Sequence, residues 1–221
     1  MMVGISQRLL QACYVFGAGP PPAHPPDIAE GDLVIAADGG YLFTKKARLR
    51  TDVIIGDFDS LSGAPDHEED APVVVRLPKE KDQTDTFAAL CYGLEQGFKV
   101  FYIYGGMGGR IDHTLANIQC LAFLLDQGAR GYLHDDETVM TAVCSQLQFA
   151  PRGTGIVSVF ALGGPAQGVC LHGLKYELEN VMLTPDFPLG VSNEFIGQPA
   201  HISVERGKLL VIYPAGAQEL N

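Results

Sequence analysis

The chain changes texture part way along its length. From residue 9 to about 135, short β-branched and aromatic runs (QACYVF, DLVIAA, DVIIG, VVVRL and KVFYIY) alternate with polar or helical stretches. Several of these runs are almost continuously apolar, as parallel strands covered on both faces are. Phe87, Leu90, Cys91 and Leu94 recur at i, i+3, i+4, i+7 and predict a helix after Asp82, with Gly97 as its stop. Leu115, Ile118, Leu121, Ala122 and Leu125 predict a second helix after Asp112, with Gly128 just beyond its end. Strands alternating with helices imply an α/β unit with an open, mostly parallel sheet and right-handed crossovers.

After about residue 140 the helical period disappears. TGIVSVFAL, GVCLHGLKYELE, GVSNEF, AHISVE and KLLVIYP are strand-like and punctuated by Gly, Pro and Asn. This predicts an all-β sandwich. The expected organisation is an α/β domain over 1–140 and a β-sandwich over 141–221. VMTAVC (139–144) can close the first sheet or open the second.

With 47% apolar and 19% charged residues, the chain can bury a core without disulfides or metal staples. Fifteen Lys and Arg against 26 Asp and Glu give a net charge of −11, the wrong sign for neutralising nucleic-acid phosphates or an anionic membrane. The balance favours cations, and a polyphosphate can still bind where carboxylates hold Mg²⁺. The five cysteines form no CxxC pair and read as reduced core residues. The first residues lack a secretory pattern, and no run reaches the roughly 18 apolar residues of a membrane span. These features predict a cytoplasmic protein.

Four polar motifs follow predicted parallel strands: VIAADGG (34–40), VIIGDFDS (53–60), RLPKEKDQTD (76–85) and YIYGGMGGRIDH (102–113). Open α/β sheets place ligands at that edge. Singly, an Asp or Gly there is an ordinary turn or cap residue; four clusters on one edge point to a site, with Asp38, Gly39 and Gly40 in the first. Asp57 and Asp59, two residues apart, can lean toward one hard cation. Asp82 suits a helix cap, Thr84 and Asp85 stand beside it, and Lys79 and Lys81 can meet phosphate or solvent. Gly105, Gly106, Gly108 and Gly109 allow an anion nest, and Arg110 adds a fork of donors. The motif is neither a Walker A nor a GxGxxG fingerprint. His113 can be a base or a cap. GAGPPP (17–22) reads as a loop, since its prolines prevent a helix from starting there.

The series ADGG, GDFDS, D-x-T-D, GGMGGR-x-D and the late SN resembles the thiamine pyrophosphokinase family over nearly the whole chain, including GLKYEL (173–178) and GVSNEF (190–195). The resemblance implies transfer of the terminal diphosphate of ATP to the hydroxyl of thiamine, and a homodimer with active sites at the subunit interface. It implies Mg²⁺ and diphosphate handling by Asp57, Asp59 and Asp85 with Asp82 assisting. Gly105 to Arg110 would cradle the phosphates, Asp112 would complete the acidic cluster, and Ser192 and Asn193 would line the thiamine pocket. The chain has no Trp, so a stacking ring must come from Phe195, Tyr176 or another Tyr. The rival readings are an Mg-dependent phospho- or nucleotidyltransferase acting on another alcohol and a non-catalytic nucleotide sensor.

Overall fold

The computed structural model describes residues 11–57, 72–78 and 82–220. The first half builds β1 (Ala12–Phe16), β2 (Leu33–Ala37), α1 (Gly40–Lys46), β3 (Val53–Gly56), β4 (Val73–Arg76), α2 (Asp85–Glu95), β5 (Val100–Tyr104), α3 (Ile111–Asp126) and β6 (Arg130–His134). The second half builds β7 (Thr138–Val143), β8 (Gln146–Phe149), β9 (Ile156–Ala161), β10 (Ala166–His172), β11 (Leu178–Leu183), β12 (Gly190–Glu194), β13 (Ala200–Ser203), β14 (Leu209–Pro214) and β15 (Glu219–Leu220). No helix among the described residues is long and apolar enough to cross a membrane.

A ten-stranded sheet runs in the order β12-β9-β14-β7-β6-β5-β1-β2-β3-β4. Its β6 to β4 portion is entirely parallel. From β7 outward the pairing turns antiparallel. VMTAVC thus closes the first sheet as β7, while also pairing with β14, so one sheet runs without a break through both halves of the chain. A second sheet, β11-β10-β13-β8-β15, covers the antiparallel portion.

Burial follows from these layers. Cys13, Val15, Ile35, Ile55, Phe101 and Ile103 face α2 and α3, packing with Leu90, Leu121 and Leu124. The opposite face carries an aromatic ladder: Tyr14 on Tyr102, Phe16 on Tyr104, and Tyr104 on His134, with centroids 5.1–5.4 Å apart. Between the two sheets, Val157, Val159, Val169, Leu171, Phe149, Ile202 and Val211 form a separate core.

Several local expectations change. Thr84, not Asp82, caps α2, its hydroxyl accepting from Phe87 N at 3.1 Å. The seven-residue α1 carries no capping side chain and holds by packing, Phe43 against Phe16. In α3 the inward stripe is Asn117, Cys120, Leu121 and Leu124, whereas Leu115 is exposed. That stripe faces β6 and β7, the strands on which α3 packs. GVCLHGLKYELE is not one strand. Gly173 takes φ +71, and a Cβ there would lie 1.9 Å from Pro199 O, so the chain turns into a hairpin. Nor are all cysteines in the core: Cys144 is exposed, and Cys91 and Cys170 are only partly covered.

Candidate active site

In the parallel portion, strands β1 to β4 run outward one way from β1 and β5 to β6 the other. The order therefore reverses between β1 and β5, and connections leaving their carboxyl ends diverge to leave a crevice. A cleft of about 590 Å³ opens there, lined by Ala18, Gly19 and Pro20 after β1, Asp38 after β2, and Gly105, Gly106, Met107, Gly109, Arg110 and His113 after β5.

Glycine is needed where two loops touch backbone to backbone. Gly17 N donates to Tyr104 O and Gly19 N to Gly105 O, both at 2.8 Å. Gly105 lies at φ +66, and a Cβ on it would come within 2.5 Å of Gly17 O. Gly106 is held from behind: the buried Asn117 donates from Nδ2 to its carbonyl at 2.9 Å. The loop's inner wall is thus fixed by α3, leaving Gly109 and Arg110 toward the opening. The loop read from GAGPPP is a wall of this cleft, and Asn117 its support. A Gly-x-Gly directly after the first strand was the available signal for the former. Asn117, on an otherwise apolar helix face, was the signal for the latter.

Asp38 ends β2 in the left-handed region, φ +47, where an Asp is tolerated better than most residues. Its N–H donates to Ile55 O at 2.8 Å, tying it to β3. Its buried Oδ1 has no hydrogen-bond partner among the described residues. Gly56 keeps the next strand close, since a Cβ there would lie 3.2 Å from Asp38 Cα, and Asp57 follows at once. Asp38 and Asp57 therefore occupy adjoining strand ends, and Gly39 and Gly40 start α1 against β1, where a Cβ on Gly40 would overlap Phe16 O. Asp59, Lys79 and Lys81 lie outside the described residues.

Arg110 is exposed (side chain 73%) and gripped by Asp112 through Nε to Oδ1 at 3.1 Å and Nη2 to Oδ2 at 2.5 Å. These bonds, with a further one from His113 N, hold the Asp112 carboxyl down at about 2 and push the Arg110 guanidinium up. Asp112, in the first turn of α3, pairs with Arg110 at the helix N-cap, two residues away. Asp82 and Thr84 line a separate depression between α2 and α3, of about 320 Å³, with Phe87 and Phe123. Asp85 stands in the first turn of α2.

Ser192 and Asn193 lie on β12, the far edge of the large sheet. Five strand spacings separate β12 from β5, roughly 24 Å at about 4.8 Å each, so one chain does not bring them to the cleft. Ser192 sits at φ +57 on a β-bulge, its N–H donating to Ser158 Oγ at 3.0 Å. Asn193, 3% exposed, donates from Nδ2 to Tyr176 O at 2.6 Å and accepts from Tyr176 N and Glu194 N at 2.9 Å. Its amide is spent on fixing the Gly173–Glu177 turn. Phe195 is corrected from ligand wall to core residue: it is 2% exposed and meets Phe149 edge-on at 5.3 Å. Alternation on a strand decides this, since Asn193 and Phe195 point inward together. Tyr176, 57% exposed, is the ring left open.

Known proteins match this architecture. The family described as "Thiamin pyrophosphokinase, catalytic domain" matches residues 28–133, and "Thiamin pyrophosphokinase, vitamin B1 binding domain" matches residues 145–209. A thiamine pyrophosphokinase of Bacillus subtilis is 30% identical over 210 residues, spanning 88% of this chain and 95% of the relative. Thiamin pyrophosphokinase 1 of Caenorhabditis elegans is 28% identical over 155 residues, 64% of this chain and 61% of the relative. The crystal structure of a Bacillus subtilis thiamine pyrophosphokinase superposes with a TM-score of 0.79 at 27% identity, covering 93% of this chain and all of that one.

Proposed function

The chain belongs to the thiamine pyrophosphokinase family, and from that premise we propose that the cleft between the β1 and β5 loops is its phosphate site. The enzyme transfers a diphosphate group from ATP to the hydroxyl of thiamine, giving thiamine diphosphate and AMP. The observation that carries the site assignment is the position of that cleft at the strand-order reversal, walled by close-packed glycines and flanked by Arg110 and Asp38.

The thiamine hydroxyl oxygen forms a bond to the β-phosphorus and releases its proton to solvent, the bond from that phosphorus to the α,β-bridging oxygen breaks, and AMP leaves carrying that oxygen. Such transfers demand in-line positioning and charge neutralisation more than covalent help. Gly105 to Gly109 supply backbone donors on a wall held by the β1 loop and by Asn117, and His113 flanks the same opening. Arg110 offers its fork to phosphate oxygens, with Asp112 as the group that orients it while the cleft is open. Asp112, held at about 2, is ionised at neutral pH and too weak a base to take the hydroxyl proton.

The carboxylates fit Mg²⁺. Asp57, next to Asp38 with its unpartnered buried oxygen, and Asp59 offer hard oxygen ligands, with Asp82 and Asp85 further along the same sheet edge beyond β4. Bound there, Mg²⁺ would neutralise charge on the phosphate oxygens. Residues 1–140 handle nucleotide and metal and 141–221 handle thiamine and dimerisation, a division of labour laid over one continuous sheet.

The shared-site homodimer is part of this reading. The span between β12 and the cleft supports it, as do the exposed Ile156, Tyr176, Met182, Phe187, Val191 and Ile196, all in the β-sandwich half. A cytoplasmic location belongs to the same proposal, because ATP is concentrated there. The test is to incubate the protein with ATP, Mg²⁺ and thiamine and separate the nucleotides. AMP is expected in step with thiamine diphosphate; stoichiometric ADP defeats the reading.

A further inference from the structure

On the outer face of the five-stranded sheet, three side chains of different chemistry converge. Along β10, Val169 and Leu171 point into the sandwich core, so Cys170 and His172 share the opposite face. Glu179, across the hairpin on β11, joins them. Its Oε2 lies 2.7 Å from His172 Nε2 and its Oε1 lies 3.9 Å from Cys170 Sγ. One ligand atom from each residue falls within 4.8 Å of the other two.

The hairpin is shaped to bring them together. Asn180 takes φ +51, and the β10/β11 ladder shifts register between Val169 and Leu171. That irregularity turns the Asn180 N–H onto Cys170 Sγ at 3.3 Å. A backbone N–H on the sulfur fixes its position, as partners behind a metal ligand do. His201, the register partner of His172 on β13, brings a second imidazole with its centroid 6.4 Å away.

We propose that this face is a binding site for a Zn²⁺-class divalent ion, ligated by Cys170 Sγ, a ring nitrogen of His172 and a carboxylate oxygen of Glu179, with the fourth position left to water. Bonds of about 2.0–2.3 Å require tetrahedral ligand atoms roughly 3.3–3.8 Å apart, so the present spacing closes with side-chain adjustments of about an ångström. Glu179 is free to make them, its side chain being 78% exposed. The His172–Glu179 contact it would give up is a surface pair of little worth. A thiolate, imidazole and carboxylate set selects Zn²⁺ over Mg²⁺, which prefers oxygen alone. The net charge of −11 draws cations to the molecule.

The site is independent of the phosphate cleft, since it lies on the second sheet. The test titrates Co²⁺ into chelator-treated full-length protein under saturating Mg²⁺, reading the thiolate-to-cobalt charge-transfer band and the tetrahedral d–d bands. A single ion per chain, displaced by Zn²⁺, is expected. Cys170→Ser should abolish the charge-transfer band and His172→Ala should weaken binding by roughly tenfold or more, while Cys144→Ser, the exposed thiol elsewhere, should change nothing. Circular dichroism of each variant checks the fold. A missing thiolate band in wild type, a band that survives Cys170→Ser, or one that disappears with Cys144→Ser overturns the proposal. Diphosphate transfer is not the readout, so the two readings stand or fall separately.

Discussion

Replacing Gly105 with Ala isolates the contact on which the cleft depends. At φ +66 a side chain costs about 1–2 kcal/mol in the left-handed region. The new Cβ would also lie 2.5 Å from Gly17 O and 3.3 Å from Gly19 O. Ordinary contact begins near 3.4 Å, so the β1 loop must retreat by about 1 Å. Retreat loosens Gly17 N to Tyr104 O and Gly19 N to Gly105 O, at about 1 kcal/mol each. The sum is about 3–4 kcal/mol. Gly128 provides the control. It has φ +65 with open space around its Cβ position, so Gly128→Ala carries only the backbone term, about 1–2 kcal/mol. Urea unfolding should therefore separate the two variants by about 2 kcal/mol. Because a misplacement of about 1 Å near reacting groups costs on the order of a hundredfold in rate, AMP release should fall by about that factor in Gly105→Ala and hold in Gly128→Ala. Equal stabilities together with unchanged turnover in Gly105→Ala would refute the argument that backbone contact shapes the cleft.

His134, buried beside Tyr104, is pushed down from its ordinary 6.5 to about 4 by desolvation. The unfolded chain takes up this proton near pH 6.5 and the folded one only near 4, so stability is intact above 6.5 and falls as pH drops toward 4, by up to about 3 kcal/mol. His134→Phe should flatten that part of the profile in unfolding curves across this range, and parallel losses in both proteins would remove His134 as the cause. Asp57→Asn and Asp59→Asn keep side-chain size but remove a hard ligand, so turnover should collapse while circular dichroism stays unchanged; near-wild-type rates at limiting Mg²⁺ would make GDFDS a turn only. Asp57→Asn and Ser192→Ala proteins, each impaired alone, should recover activity when dissociated and mixed in equal amounts. Half the dimers are then mixed with one intact site of two, giving about a quarter of wild-type activity; mixed dimers that stay silent would place the whole site within one chain.

Strands β1, β2 and β3 were legible because burial on both faces leaves no polar alternation, and they are indeed almost wholly buried, whereas β4, at the sheet edge, and β5 were legible from their β-branched and aromatic residues. The four polar motifs after those strands were legible too, since a strand's carboxyl end is fixed by where its apolar run stops. Spatial order was not written there. That β1 lies between β2 and β5, which makes the crevice, depends on which strands pair, and pairing energy comes from residues far apart in sequence. The β1 loop became a wall of the cleft for that reason, although its prolines marked it only as loop. Asn193 clamping Tyr176 and Phe195 turning into the core were likewise decided by packing. Residue type states what a side chain can do, but one strand's pleat and its neighbour's backbone determine whether it faces ligand, partner or core.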